Sequence, residues 1–312
     1  MDHAAPATRP VVILLALVGG LVAIASASGV FLRGDLATTP FTTVRGDVVD
    51  TLVAGAYRFN GKAVAAEGVG WDIVTLFLVV PALLLILPSV RRRSLRATLI
   101  AMGILAYFLY QYFEYAVFLA YGPMFPVYVG IVALSVSALG LLLGEVDIEA
   151  LPSRFSGRFP RRAAIGFGIY MAVLLLGLWL PVIARTWGET QVPQLEGGTT
   201  FVIQAFDLGI LVPLGIFTAA TVYRRLPVGF LLSSIVMVKG MAMGAGIAAM
   251  LIVEAAATGE VQVVPIGIFA LTSVVSAAIA WRLYASIEPE RSGDTSPASS
   301  SARPVPHSTI PT

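Results

Sequence analysis

Apolar residues fall in blocks of roughly 20 along almost the whole chain, separated by short polar stretches that carry arginine, proline or glycine. The blocks lie at about 11–32, 71–90, 97–121, 123–144, 163–184, 201–223, 228–254 and 261–283. At about 1.5 Å per residue each spans the roughly 30 Å hydrocarbon core of a bilayer. The pattern predicts eight transmembrane helices. Because lipid-facing backbone must satisfy its own hydrogen bonds, the predicted class is all-α, a polytopic helical membrane bundle.

The same pattern divides the chain into an N-terminal segment 1–10, a transmembrane domain 11–284 with an outer loop 33–70, and a tail 285–312. The tail is rich in Ser, Pro and Thr and reads as disordered. Residues 11–24 followed by Ala25-Ser26-Ala27 also resemble a signal peptide with a small-residue cleavage site. The apolar run continues to Leu32 and its flank is weakly basic, which favours an uncleaved first span. Within the outer loop, Asp47 to Leu52 is expected to begin a short interfacial helix. YGPMFP, residues 121–126, is expected to turn the chain tightly between spans 3 and 4.

Composition agrees: 57% of residues are hydrophobic and 12% charged, about half the charged share of a soluble chain. With no cysteine, disulfides, thiolate metal sites and cysteine nucleophiles are excluded. His3 and His307 sit in the terminal segments, so no haem or zinc ligand is expected within the membrane. There is no phosphate-cradling glycine loop and no zinc-protease motif. The chain is therefore expected to need no cofactor and no metal, and to meet the lipid bilayer and a small ion or solute rather than nucleic acid.

The net charge of +2 says little, but its distribution is one-sided. Arg91, Arg92, Arg93 and Arg96 fall between spans 2 and 3; Arg154, Arg158, Arg161 and Arg162 between spans 4 and 5; Arg224 and Arg225 between spans 6 and 7. Arg9, Arg282, Arg291 and Arg303 lie on the same side, against Arg33, Arg45, Arg58, Lys62 and Arg185 on the other. By the positive-inside rule both termini are cytoplasmic and the protein sits in the cell membrane.

Spans 2–3 and 6–7 share a plan. GWDIVTLFLVVPALLLILPSVRRR (70–93) and FDLGILVPLGIFTAATVYRR (206–225) each have an outer aspartate, a central proline and a basic inner end. A parallel 4+4 duplication is one reading, and such repeats often place a site at their interface. The other is that positive-inside selection makes any two such spans alike.

Four charged residues lie within or at the ends of spans: Asp72, Glu114, Asp207 and Lys239. Burying an ionised group at mid-bilayer costs about 2.5–3.5 kcal/mol even on a lenient scale. Tyr107, Gln111 and Glu114, and likewise Gln204 and Asp207, have spacings that share a helix face. Counted from the inner arginines, the carboxylates of Asp72, Glu114 and Asp207 stand at about 25–28 Å and Lys239 at about 16 Å. A direct Lys239–Asp207 salt bridge is therefore disfavoured, the more so because helical side chains lean toward their own N-terminus. The favoured picture is an outward-open polar cavity, walled by the carboxylates and floored by the lysine. Plainer roles compete: Asp72 as an N-terminal cap, Glu114 bonded to Tyr110 or Gln111, and Lys239 held by carbonyls freed near Pro81 or Pro213. Gly240 and Gly244 form a small-xxx-small pair for close helix packing.

GWDIVTLFLVVPALLL (70–85), RRRSLRATLIAMGILAYFLYQYFEYAV (91–117), and FDLGILVP with YRR and LLSSIVMVKG (206–240) resemble a family of multi-span prokaryotic integral membrane proteins of uncharacterised activity. The likeness covers most of 70–250 and departs at Trp71, where the family pattern has Asn before the Asp. It implies the span count and no activity.

Three classes of function follow. Transport or binding of a small solute, ion or proton fits an outward polar cavity best. A non-catalytic scaffold or sensor subunit would use the charges to fix helix pairing. An intramembrane enzyme has only Glu114 and Asp207 as bases and no partner motif. A retinal protein is disfavoured because Lys239 lies on the penultimate span rather than the last.

Overall fold

The computed structural model describes residues 8–34, 37–187, 195 and 197–288. In chain order the helices are α1 (Thr8–Phe31), α2 (Lys62–Val74), α3 (Val80–Arg91), α4 (Leu95–Phe118) and α5 (Phe125–Glu145). The four-residue α6 (Leu151–Arg154) follows, then α7 (Arg161–Arg185), α8 (Val202–Phe206), α9 (Val212–Tyr223), α10 (Pro227–Thr258) and α11 (Val263–Ala285). A π-turn joins α2 to α3 and another joins α8 to α9, so each pair is one continuous rod. Among the described residues seven rods are long and apolar enough to cross a membrane: α1, α2–α3, α5, α7, α8–α9, α10 and α11. The chain is an all-α bundle of the multi-span membrane class.

The remaining long rod, α4, has 24 residues but does not reach the apolarity of the others. Its tyrosines, Gln111 and Glu114 lower it, and the fold shows why that is tolerated. Tyr107, Phe108 and Tyr112 are fully buried, and α4 packs against α3, α5 and α10. A helix enclosed by its neighbours needs no lipid-compatible surface all round.

The outer loop differs from expectation in two ways. Helix α2 already begins at Lys62, so the connection from α1 ends there rather than at residue 70. Residues 47–52 do not start a helix: β1 (Thr38–Thr42) and β2 (Val48–Leu52) form an antiparallel hairpin with Thr38 opposite Leu52. Its β-branched Thr and Val favour the pleated ladder, and Gly46 turns the chain at φ 90. Residues 1–7 and 289–312, including most of the expected disordered tail, lie outside the described residues.

Both π-turns have the same cause. Pro81 and Pro213 lack the N–H that would bond four residues back, and each ring crowds that carbonyl. The residue before each proline instead bonds five back, Val80 N–H to Thr75 O and Val212 N–H to Asp207 O. This fixes a frame that the loose aspartate–proline spacing left open. A shift of 132 residues (207 − 75) carries one π-turn onto the other and Pro81 onto Pro213. It also carries Arg93 onto Arg225, which end their helices in the left-handed region at φ 59 and φ 57. In that frame Asp207 matches Thr75 and not Asp72, and Lys239 matches Tyr107.

Helix α10 is central, packing along α2, α4, α9 and α11. Glycines set the spacing. A Cβ on Gly244 would meet the α11 backbone, at 2.7 Å from Ser273 N and 2.8 Å from Phe269 O. One on Gly240 would meet Phe167 of α7 at 2.9 Å and Ser276 Oγ of α11 at 3.0 Å. Gly70 of α2 likewise lies against the α10 backbone at Met250.

Candidate functional site

A cavity of about 330 Å³ lies among α2, α4, α7, the π-turn at Asp207, α10 and α11. Its lining reaches Glu67, Leu119, Glu254 and Gln262 at the helix ends opposite the arginine-rich loops. Most of its wall is apolar, with Met171, Leu175, Leu178, Met243 and Ile247 among the lining residues. The polar groups are few and concentrated.

Asp207 is the best-held of them. Its Oδ1 accepts a hydrogen bond from Tyr110 of α4 at 2.6 Å, and its Oδ2 accepts one from Trp179 Nε1 of α7 at 2.7 Å. Lys239 lies behind this pair, its Nζ 4.1 Å from the centre of the Tyr110 ring. It donates to Met243 Sδ. Among the described residues the ion pair found is Arg45–Asp47, at 4.0 Å, and Lys239 makes none. Tyr110 therefore stands between lysine and carboxylate, bonding one through its hydroxyl and the other through its π face. One expectation is reversed: Lys239 reaches four residues toward its own C-terminus rather than leaning back. Its ammonium turns toward the polar end of the bundle and away from the apolar middle, as a snorkelling lysine does.

Glu114 lines the same cavity with 7% of its surface exposed. No hydrogen bond reaches its carboxylate from the described residues. Neither Tyr110 nor Gln111 serves it, because the Tyr110 hydroxyl goes to Asp207 and both amide atoms of Gln111 are buried without a partner. The face shared by Tyr107, Gln111 and Glu114 thus divides by depth. Tyr107 bonds Thr75 Oγ1 at 2.7 Å, and only Glu114 lines the cavity. Seven residues of helix rise about 10 Å, enough for one face to meet different neighbours. Gln204 is half-buried on α8 and does not line the cavity, whereas its neighbour Ile203 does.

Asp72 is placed elsewhere. It lies well inside the α2–α3 rod, so it caps no helix start, and it is absent from the cavity lining. Tyr57, from the connection between α1 and α2, donates to its Oδ2 at 2.5 Å and lies 3.3 Å from the hydroxyl of Tyr115. Tyr115 in turn donates to Gly68 O at 3.2 Å. Gly29 of α1 leaves the space that the Asp72 carboxylate and the Tyr57 ring occupy. Burial, and then the adjoining Asp72 carboxylate, push the Tyr57 phenol above its ordinary range, so it stays a donor. The Tyr57→Phe protein is expected to lose about 1–3 kcal/mol, the cost of a buried acceptor left without its donor. Tyr115→Phe should lose about 1 kcal/mol or less, since only longer neutral bonds go. Thermal unfolding of both in one detergent checks the order.

Tyr57, Trp71, Trp179 and Glu67 did not emerge as candidates from the sequence. Tyr57 and Glu67 fall in what read as a loop, and Trp179 sits in an unbroken apolar run. Trp71 was marked only by its place beside Asp72.

Fold and cavity together define a multi-span helical membrane protein with a carboxylate-bearing pocket at one end of its bundle. No family model, no curated protein and no solved structure matches the chain. The resemblance seen over 70–250 to a prokaryotic membrane family accordingly has no support from these comparisons.

Proposed function

We propose that the protein sits in the cell membrane with its arginine-rich loops inside and binds or transports a small solute or cation through an outward-facing cavity. In this reading α4 is an eighth span, and the halves related by the 132-residue shift (207 − 75) are a duplication with the cavity between them. One observation carries the proposal. Glu114 is more than nine-tenths buried, lines the cavity and accepts no hydrogen bond from the described residues. A carboxylate that faces a cavity without a protein partner is open to the charge or hydrogen bonds of a ligand.

A scaffold role is the second reading, favoured by the Tyr110–Asp207–Trp179 bonds that tie three segments together. Thermal melts separate the two. Among the described residues the ammonium of Lys239 makes no ion pair, only a ring-face contact and a bond to a thioether, so Lys239→Met is expected to melt at or above wild type. Glu114→Gln is expected to fold normally and to lose the stabilisation that a bound solute confers on wild type in a thermal-shift screen. If both variants instead unfold or mispair, and no solute shifts wild type, the charges serve assembly and the proposal falls.

A further inference from the structure

The ligand chemistry can be narrowed, on the premise that the cavity binds a solute as proposed above. Four lining residues carry carboxylates, Glu67, Glu114, Asp207 and Glu254, and none of the described lining residues is basic. Lys239 is not a lining residue; it lies against the Tyr110 ring. A cavity so bounded favours cations over anions.

The carboxylates are not arranged to chelate a bare metal ion. Among the described residues no three acidic or imidazole groups come close enough to hold one. Asp207 already accepts a bond on each oxygen, from Tyr110 and Trp179. That leaves Glu114 as the open acceptor at depth. The same cavity is lined by the aromatic residues Trp71, Tyr110, Trp179 and Phe269, one face of Tyr110 being taken by Lys239, and by the thioethers and branched chains of the apolar wall. Aromatic rings beside an unpaired carboxylate favour a cation of low hydration, such as an alkylated ammonium, through ring quadrupoles as well as charge. The apolar wall adds affinity for a hydrocarbon body. At about 330 Å³ the space falls at the small end of small-molecule sites.

We infer that the cavity binds an organic ammonium ion with an apolar body, its charged head against Glu114 and its hydrocarbon part along the wall formed by α7 and α10. Metal ions and organic anions are poor occupants of this site.

The test uses the full chain in nanodiscs and four probes: benzyltrimethylammonium, the similarly shaped, net-neutral and zwitterionic N,N-dimethylbenzylamine N-oxide, rubidium ion and phenylacetate. Tryptophan fluorescence reads the organic probes, because Trp71 and Trp179 line the cavity; uptake of the radioisotope onto the discs reads rubidium. Benzyltrimethylammonium is expected to bind saturably and at least tenfold more tightly than the N-oxide. Glu114→Gln should remove that tenfold preference while leaving N-oxide binding unchanged, and Glu114→Asp should restore part of it. Thermal melts of the variants confirm that they are folded. If the N-oxide, rubidium or phenylacetate binds as well as the ammonium, or Glu114→Gln changes nothing, the ammonium assignment is wrong although the cavity still binds solute. If no probe binds wild type, the assignment and the solute-binding proposal fall together.

Discussion

The Gly70→Ala protein is expected to melt far below wild type. A methyl group at this position would run into the backbone of α10 at Met250 and Ala249. Overpacking typically costs about 1–3 kcal/mol when side chains can yield. Here the obstacle is main chain on the central helix, so the cost is expected at or above the top of that range. Part of the damage should also reach the site, because Trp71 and Gly68 on either side line the cavity. Gly20→Ala is the matched control. Nothing lies within 4 Å of a Cβ there, and alanine improves helix propensity by up to about 1 kcal/mol. Unfolding midpoints in one detergent should place Gly20→Ala at or above wild type and Gly70→Ala well below. Equal midpoints for the two would mean that α2 and α10 are not packed this closely.

Asp207→Ala should be the most damaging change within the site. It strands two buried donors, the Tyr110 hydroxyl and the Trp179 indole N–H. Each unsatisfied buried group costs about 1–3 kcal/mol, and the cavity beside them admits water that will recover some of this. A net loss of about 2–4 kcal/mol is expected. A double-mutant cycle isolates the cause. Tyr110→Phe removes one stranded donor, so the double variant should be less destabilised than the two single losses added together, with a coupling of about 1 kcal/mol or more. Strict additivity would show that the Tyr110–Asp207 bond carries no stability. Tyr110→Phe alone keeps the ring under Lys239, so any change in its melt reports the hydroxyl and not the cation–π contact.

The parts of the site differ in how far they could be read from the chain. Glu114 and Asp207 stood out because a carboxylate in an apolar run is conspicuous wherever it points. Asp72 stood out for the same reason, yet it serves the Tyr57 contact on the other side of α2. All three carry carboxylates at a similar level by residue count, and the rotation of each helix about its axis separates their roles. The aspartate–proline match between spans 2 and 6 was loose, and the two π-turns begin at Thr75 and at Asp207, so aligning them sets Thr75 rather than Asp72 level with Asp207 in sequence. Proline was visible in the sequence, but where the extra residue enters the helix depends on which carbonyls the surrounding packing leaves free.

Length and apolarity settle that a segment is a helix able to cross a bilayer, because the lipid imposes its thickness and its hydrogen-bond requirement on any chain. To that extent the sequence by itself determined the class of this protein, its rods and the clustering of arginine at one end. Which faces meet, and so which of seven polar candidates share a cavity, is a property of several helices at once. Tyr110 reaches Asp207 across 97 positions of chain, and Trp179 reaches it across 28. Packing at Gly70, Gly240 and Gly244 decides the rotations that make those bonds. Tertiary structure alone decided that Glu114 faces the cavity with no hydrogen bond from the described residues while Lys239 lies against a ring, because contact between helices depends on rotation and register that no local pattern encodes.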